Sequence, residues 1–250
     1  MIPNLTIGDL MIDCANPERA RDFYAALTGH EKLIAFDCPA IKTDNGLTIL
    51  FAKTDIPHAP PVWPEEPGKQ QKQMHLDFGV DNLRLAVKKA ISLGAAKAAK
   101  QYNPKGHITM LDSDGHPFCL CVWQKSKAKG TGAILDCGFN VDCRKTEDLR
   151  AFYAGLTPWG QDFHHTALVA DNGFVVHFMQ CDFDYIPPVW PEEPGRQQKQ
   201  MHFNFQVDDL PSAVEEALRL GAAKAAEQYG GEQFVTMTDP DGHPFCLCKR

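Results

Sequence analysis

The most constraining feature of the 250-residue chain is that it says nearly everything twice. VWPEEPGKQQKQMH at 62–75 returns as VWPEEPGRQQKQMH at 189–202, LGAAKAA at 93–99 returns at 220–226, and DGHPFCLC at 114–121 returns at 241–248. All three are offset by 127 positions. Upstream, DCANPERARDFYAALT at 13–28 aligns with DCRKTEDLRAFYAGLT at 142–157 at an offset of 129. A period this long cannot be a solenoid repeat; it is duplication of a whole domain. The expected organisation is one domain over 1–125, a small polar linker over 126–132 (SKAKGTG), and a second domain over 133–250.

Within the first copy, Asn16-Pro17-Glu18 reads as a helix start, with Asn as N-cap and Pro in the first turn. Ala20, Phe23, Tyr24 and Leu27 then recur at helical spacing up to Gly29. A second helix is expected over about 81–93, with Leu83, Val87, Ala90 and Ile91 on its buried face. Strands read by alternation surround both helices. Leu10, Ile12 and Cys14 oppose Asp9, Met11 and Asp13; Leu76, Phe78 and Val80 oppose His75, Asp77 and Gly79; Phe118 and Leu120 oppose Cys119 and Cys121. Asp112-Ser113-Asp114-Gly115 is a turn ahead of the last strand. The fold class is therefore α+β, with strand–helix–strands occurring twice per copy. The apolar strand faces belong under the helices, leaving a polar face that is either solvent-exposed or the lining of a concave cleft.

The net charge of -7 argues against nucleic acid or an anionic membrane as partner. No segment has the length and apolarity of a membrane span, and the first twenty residues do not read as a signal peptide. Nine cysteines without a secretory leader imply reduced thiols and a cytoplasmic location.

DCANPERARDFYAALTG, the strand opening Met74-His75, and the turn-strand DSDGHPFCL, each repeated in order in the second copy, resemble the vicinal oxygen chelate superfamily, the group of glyoxalases, bleomycin-resistance proteins and extradiol dioxygenases, and most of all its glyoxalase-like branch. The resemblance implies that each copy is a pair of βαβββ units forming a half-open curved sheet. It also implies ligand positions on the first, fifth and eighth strands of a copy, occupied in metal-using relatives by hard donors. Here they fall on Asp9, His75 and Cys119 in the first copy and on Gly138, His202 and Cys246 in the second. A glycine offers no ligand and a thiol replaces a carboxylate, so no complete metal site is expected; a divalent ion is conceivable only on Asp9, His75 and Cys119.

The implied function is small-molecule binding in a concave cleft. The alternative is a metal-dependent lyase, isomerase or oxygenase of glyoxalase type, kept open by the acids beside His75. The expected ligand-binding residues are Asp9, Asp13, His75, Asp77 and Cys119 in one copy and Asn140, His202, Asn204 and Cys246 in the other. Trp63 and Trp190 either roof the clefts or pack the copies together. His116 and His243 read as turn residues, and the Gln-rich runs KQQKQ as solvated surface.

Overall fold

A computed structural model describes residues 1–122, 130–162, 166–181 and 184–250. The expected linker residues 126–129 lie outside the described set. The first copy runs β1 (Thr6–Cys14), α1 (Pro17–Thr28), β2 (Glu31–Ala35), β3 (Cys38–Lys42), β4 (Thr48–Lys53), β5 (Met74–Val80), α2 (Leu83–Ser92), β6 (Ala96–Lys97), β7 (His107–Leu111) and β8 (Pro117–Val122). The second runs β9 (Ile134–Cys143), α3 (Thr146–Leu156), β10 (Gly160–Gln161), β11 (Ala167–Val169), β12 (Val175–Gln180), β13 (Met201–Val207), α4 (Leu210–Arg219), β14 (Ala223–Lys224), β15 (Phe234–Thr238) and β16 (Pro244–Lys249). Each copy is thus two βαβββ units. No described helix is long and apolar enough to cross a membrane.

The local signals act as expected. Asn16 accepts from the Arg19 N–H at 2.9 Å, and Gly29 closes α1 at φ 86°. Asp114, from the turn before β8, accepts from the N–H groups of Ala15 and Asn16 just ahead of α1. Helix α2 departs from the expected face: Ala86 and Ala90 are its buried residues and Ile91 is exposed. The two alanines let the helix lie close to the sheet, and the bulkier side chains flank that contact.

The strand pairing differs more deeply from the expectation that each copy would build its own sheet. The first sheet has the order β14-β15-β16-β13-β1-β4-β3-β2, and the second β10-β11-β12-β9-β5-β8-β7-β6. Each joins one unit of one copy to one unit of the other through an antiparallel central pair, β1 with β13 and β5 with β9. The reason is that β5 and β13 have nearly the same sequence and the same alternation. The open edge of β1 therefore fits either, and only what lies at the junction selects the partner.

The junction is the Gln-rich run, which is buried rather than solvated. Gln71 and Gln197 exchange hydrogen bonds: the Gln71 N–H donates to the Gln197 side chain at 2.8 Å, and the Gln197 amide donates to the Gln71 carbonyl at 2.9 Å. Gln70 and Gln198 add a second cross-copy link, the Gln198 N–H donating to Gln70 at 2.8 Å. Glutamine carries both donor and acceptor, so two symmetric strands can satisfy each other without water. Beside them, the buried Lys199 ammonium binds Asp13 at 2.5 Å and Glu192 at 3.4 Å. The buried Lys72 binds Asp142, and Glu65 at 3.4 Å. Burial alone would lower both lysine pKa values; the paired carboxylates outweigh it and raise them.

In each copy one tyrosine gathers the core aromatics. Tyr24 of α1 stacks on Phe51 of the first sheet at 5.6 Å and meets Phe78 and Phe118 of the second at 6.2 and 6.1 Å. Tyr153 of α3 does the same with Phe178, Phe203, Phe205 and Phe245. Their hydroxyls donate to buried Asp112 and Asp239, which also bind His116 and His243. Both histidines are structural, as expected of turn residues. The copies thus share sheets, and their buried apolar residues join in one cluster, with these ring contacts made within each copy.

Candidate functional site

Alternation placed the apolar and polar strand faces correctly. Leu76, Phe78, Phe118, Phe203, Phe205 and Phe245 are buried in the core. The opposite faces carry the polar residues, and because the sheets cross between copies, these group differently from the sequence expectation. On the first sheet, adjacent strands align Thr48, Asp9, Asn204, Cys246 and Thr236 in one row, with Met11 and His202 in the next. On the second, the corresponding row is Val175, Gly138, Asp77, Cys119 and Thr109, followed by His177, Asn140 and His75.

The candidate metal set Asp9, His75 and Cys119 is therefore not assembled: Asp9 stands on the first sheet and the other two on the second. The physical cause is the exchange of pairing partners at β1. Asp9 and Asp13 join His202, Asn204 and Cys246, whereas Asn140 joins His75, Asp77 and Cys119.

The first sheet's polar face borders a cavity of about 790 Å³. Its walls include Met11, Leu50, Ala52, Trp190 and Tyr229, with Asp9, Asp13, Lys199, His202 and Asn204 among them. Asn204 donates to Asp9 at 2.6 Å. Burial pushes the Asp9 carboxyl up to about 6, with the Asn204 hydrogen bond opposing the rise. Burial, helped by the Lys199 charge, pushes His202 down to about 4, so its ring is neutral near pH 7. Burial also pushes the Cys246 thiol up to about 11.

Two buried polar atoms of this wall, Trp190 Nε1 and His202 Nδ1, have no hydrogen-bond partner. The equivalent Trp63 indole N–H donates to the Lys100 carbonyl at 3.0 Å. Both rings pack alike, Trp63 edge-on against Tyr102 at 5.5 Å with the Lys72 ammonium 5.3 Å from its centre, and Trp190 edge-on against Tyr229 at 5.9 Å with the Lys199 ammonium at 4.9 Å; Trp190 also borders the cavity.

Phe36 also borders the cavity, at the tip of the β2–β3 hairpin, and sequence reading missed it. The two-residue turn Phe36-Asp37 has φ values of 50° and 59°. Such turns match the twist of the flanking strands but are normally made by Asn or Gly. A bulky residue there is strained, and Phe36 is 76% exposed. Its legible signal was an aromatic-Asp pair between two apolar stretches. Lys199 was missed because it lay in the Gln-rich run read as surface, and Glu192 because attention in its loop went to Trp190.

On the second sheet, His75 Nε2 lies 3.4 Å from Asp77 Oδ1, and Asn140 donates to Asp77 Oδ2 at 2.5 Å. The donor atoms of His75, Asp77 and Cys119 all lie within 4.8 Å of one another. Burial opposes a charge on His75, but Asp77 and Cys119 overcome it and lift the imidazole to about 10. Asp77 is shifted the other way: burial raises it, and His75 and Asn140 hold it below the ordinary carboxylate value.

Among the described residues, the positions that the resemblance implies for hard metal donors are filled otherwise, although His75, Asp77 and Cys119 lie close enough together to hold an ion. Gly138 gives no side chain, thiols stand at the eighth-strand positions, and Leu50 and Met11 lie beside His202 on the first sheet. His75 Nε2 lies 3.4 Å from Asp77 Oδ1, and the imidazole is pushed toward its charged form by Asp77 and Cys119.

The comparisons agree with this architecture. No curated protein matches the sequence. Among solved structures, glyoxalase I from Zea mays superposes with a TM-score of 0.63 at 12% identity, covering 98% of this chain and 92% of that one. A putative dioxygenase from Bacillus subtilis subsp. subtilis str. 168 gives 0.58 at 10% identity, covering 98% and 84%. At such identities the likeness is one of fold. The sequence profile of the glyoxalase-like domain matches residues 9–121 and again 138–248, and the chain accordingly belongs to the glyoxalase-like domain family, with two copies in tandem.

Proposed function

We propose that the protein binds a small flat molecule in the cavity on the first sheet, without a metal ion of the glyoxalase type. The supporting observation is the cavity itself: about 790 Å³ of space on the polar face of the first sheet. Phe36, Trp190 and Tyr229 supply aromatic surface. Asp9 offers an acceptor, and the adjacent Lys199 is already committed to Asp13 and Glu192. The cavity therefore favours an aromatic or heteroaromatic ligand with a donor or cationic group toward Asp9.

Titration of aminoacridine and a panel of planar heteroaromatic amines and acids against tryptophan fluorescence tests the reading. The amines should bind more tightly than the acids. Asp9→Asn should weaken them about tenfold, the value of one lost charge-assisted hydrogen bond. Phe36→Gly should weaken binding while stabilising the fold by about 1 kcal/mol, because glycine accepts positive φ. An absence of binding across the panel, or affinities unmoved by both substitutions, would reject the assignment.

A further inference from the structure

In both copies the connector that follows the fourth strand packs on the turn that precedes the last one, and the backbones meet alike. A Cβ on Gly115 would fall 2.6 Å from Pro60, and one on Gly242 would fall 2.8 Å from Pro187. His116 and His243 are equally enclosed, at 1% and 0% exposure. Each sets its Nδ1 against the aspartate of its own turn, Asp112 at 3.1 Å and Asp239 at 2.9 Å. The residue beside the ring differs. In the second copy it is Tyr185, whose hydroxyl lies 2.8 Å from His243 Nε2. The equivalent residue of the first copy, 127 positions earlier, is His58, and its ring centre is 4.8 Å from that of His116.

The partners fix where the protons sit. His58 Nε2 lies 3.0 Å from the Asp114 carbonyl, which can only accept, so Nε2 carries the proton and Nδ1 a bare lone pair. The Asp112 carboxylate takes the Nδ1–H of His116 in the same way and leaves Nε2 as the free nitrogen. Neither His58 Nδ1 nor His116 Nε2 has a hydrogen-bond partner among the described residues, and both atoms are buried. The acids around them are committed, Asp112 to the Tyr24 hydroxyl as well as His116, Asp114 to Arg19 and the Ala15 N–H, but they leave the surroundings negative. A carboxylate on the far nitrogen is the usual support of a metal-binding imidazole. With zinc–nitrogen bonds of about 2.0–2.1 Å and a ring nitrogen about 1.2 Å from its ring centre, two imidazoles at a tetrahedral angle have centres about 5 Å apart. The spacing of His58 and His116 matches that value.

We infer that His58 and His116 form a binding site for a divalent ion of the imidazole-preferring class, zinc foremost, with water completing its shell from the partly exposed side of His58. Neither residue stands in the polar rows of either sheet. The site belongs to the first copy alone, because in the second the Tyr185 hydroxyl already occupies the free nitrogen of His243. Two protein donors make it an exchangeable site rather than a permanent structural one. The bound ion ties the connector after β4 to the turn before β8.

Titration of the reduced, nitrogen-15-labelled full chain with zinc sulfate near neutral pH, followed through the histidine ring signals, tests the site. The His58 and His116 signals should shift together and saturate together. His58→Tyr installs the pairing of the second copy and should abolish the His116 response. His58→Ala should abolish it too, and decides the matter if the tyrosine is not accommodated. Zinc held by thiols or at His75 is read from other signals and does not stand in for this response. His58 and His116 signals that zinc leaves unmoved overturn the inference, wherever else the ion binds. A His116 response that survives both substitutions overturns it as well.

Discussion

The two polar sheet faces use almost the same parts in opposite electrical states. Each has one cysteine and one aspartate in its two central rows, with one histidine, His202, on the first sheet and two, His75 and His177, on the second. On the first sheet the aspartate stands on β1, beside the Asn204 amide and apart from His202; burial then governs, leaving the histidine neutral and the carboxyl reluctant to ionise. On the second sheet the aspartate stands on β5, two residues from His75, and the pair ionise together despite burial. Moving one carboxylate across a strand boundary is enough to change a neutral, roomy cleft into a charged cluster. Desolvation favours neutral groups everywhere in a protein; a partner within about 4 Å is what reverses it.

The largest effect tests where the two halves are alike. Lys199→Ala and Lys72→Ala each leave a buried aspartate, Asp13 or Asp142, without its ammonium. Each should cost about 3–5 kcal/mol in urea unfolding, the usual penalty for stranding one member of a buried pair. Similar losses would confirm that the junction is symmetric in energy as well as in geometry; a loss confined to one lysine would break that symmetry.

Next come the carboxylates, where the halves should respond with opposite sign. Asp9 has a folded pKa near 6 against an ordinary 3.8, so at pH 8 its ionised form burdens the fold. Asp9→Asn should therefore stabilise by about 1–3 kcal/mol at pH 8, and the gain should fade as pH falls through 6 toward 4. Asp77→Asn removes the partner of a buried imidazolium and should destabilise by about 1–3 kcal/mol at neutral pH. Urea midpoints for both variants at pH 8 measure the contrast; equal signs would refute it.

The smallest effect concerns pH slopes. His202, with its folded pKa near 4 against an ordinary 6.5, disfavours the fold increasingly as pH drops below 6.5. Between pH 7 and 5, wild type should lose about 1–2 kcal/mol relative to His202→Gln. His75 runs the other way: its contribution is complete below 6.5 and is lost as pH rises through about 10. The penalty of His75→Gln should shrink from pH 7 to 10. Stability profiles that run in parallel would mean that the clefts share one electrostatic character.

Much of the unit was legible in the sequence because its signals are local. Asn16-Pro17 and Gly29 bound α1, and alternation assigns Phe78 inward and Asp77 outward without knowing their neighbours. What alternation cannot encode is which copy an edge pairs with, because β5 and β13 repeat the same pattern. The error over Asp9, His75 and Cys119 follows directly from that ambiguity. The burial of Gln71 and Gln197 was hidden for a related reason: a glutamine looks like a surface residue until a second glutamine is placed opposite it. The Phe36 turn was obscure because its residues are not those the turn ordinarily takes.

The crossed sheets also bear on what duplication permits. Two identical chains paired in this way would obey a two-fold axis, and every change in one cleft would be copied into the other. Here both halves belong to one chain, so the exchange of strands is held together covalently and needs no second molecule at any dilution. Each polar face draws one unit from each copy, and the two draw on different residues. Asp9 faces Asn204 while Gly138 faces Asp77. Such a mismatch is forbidden to a symmetric pair of identical chains, and it gives one scaffold two polar faces of different electrical character.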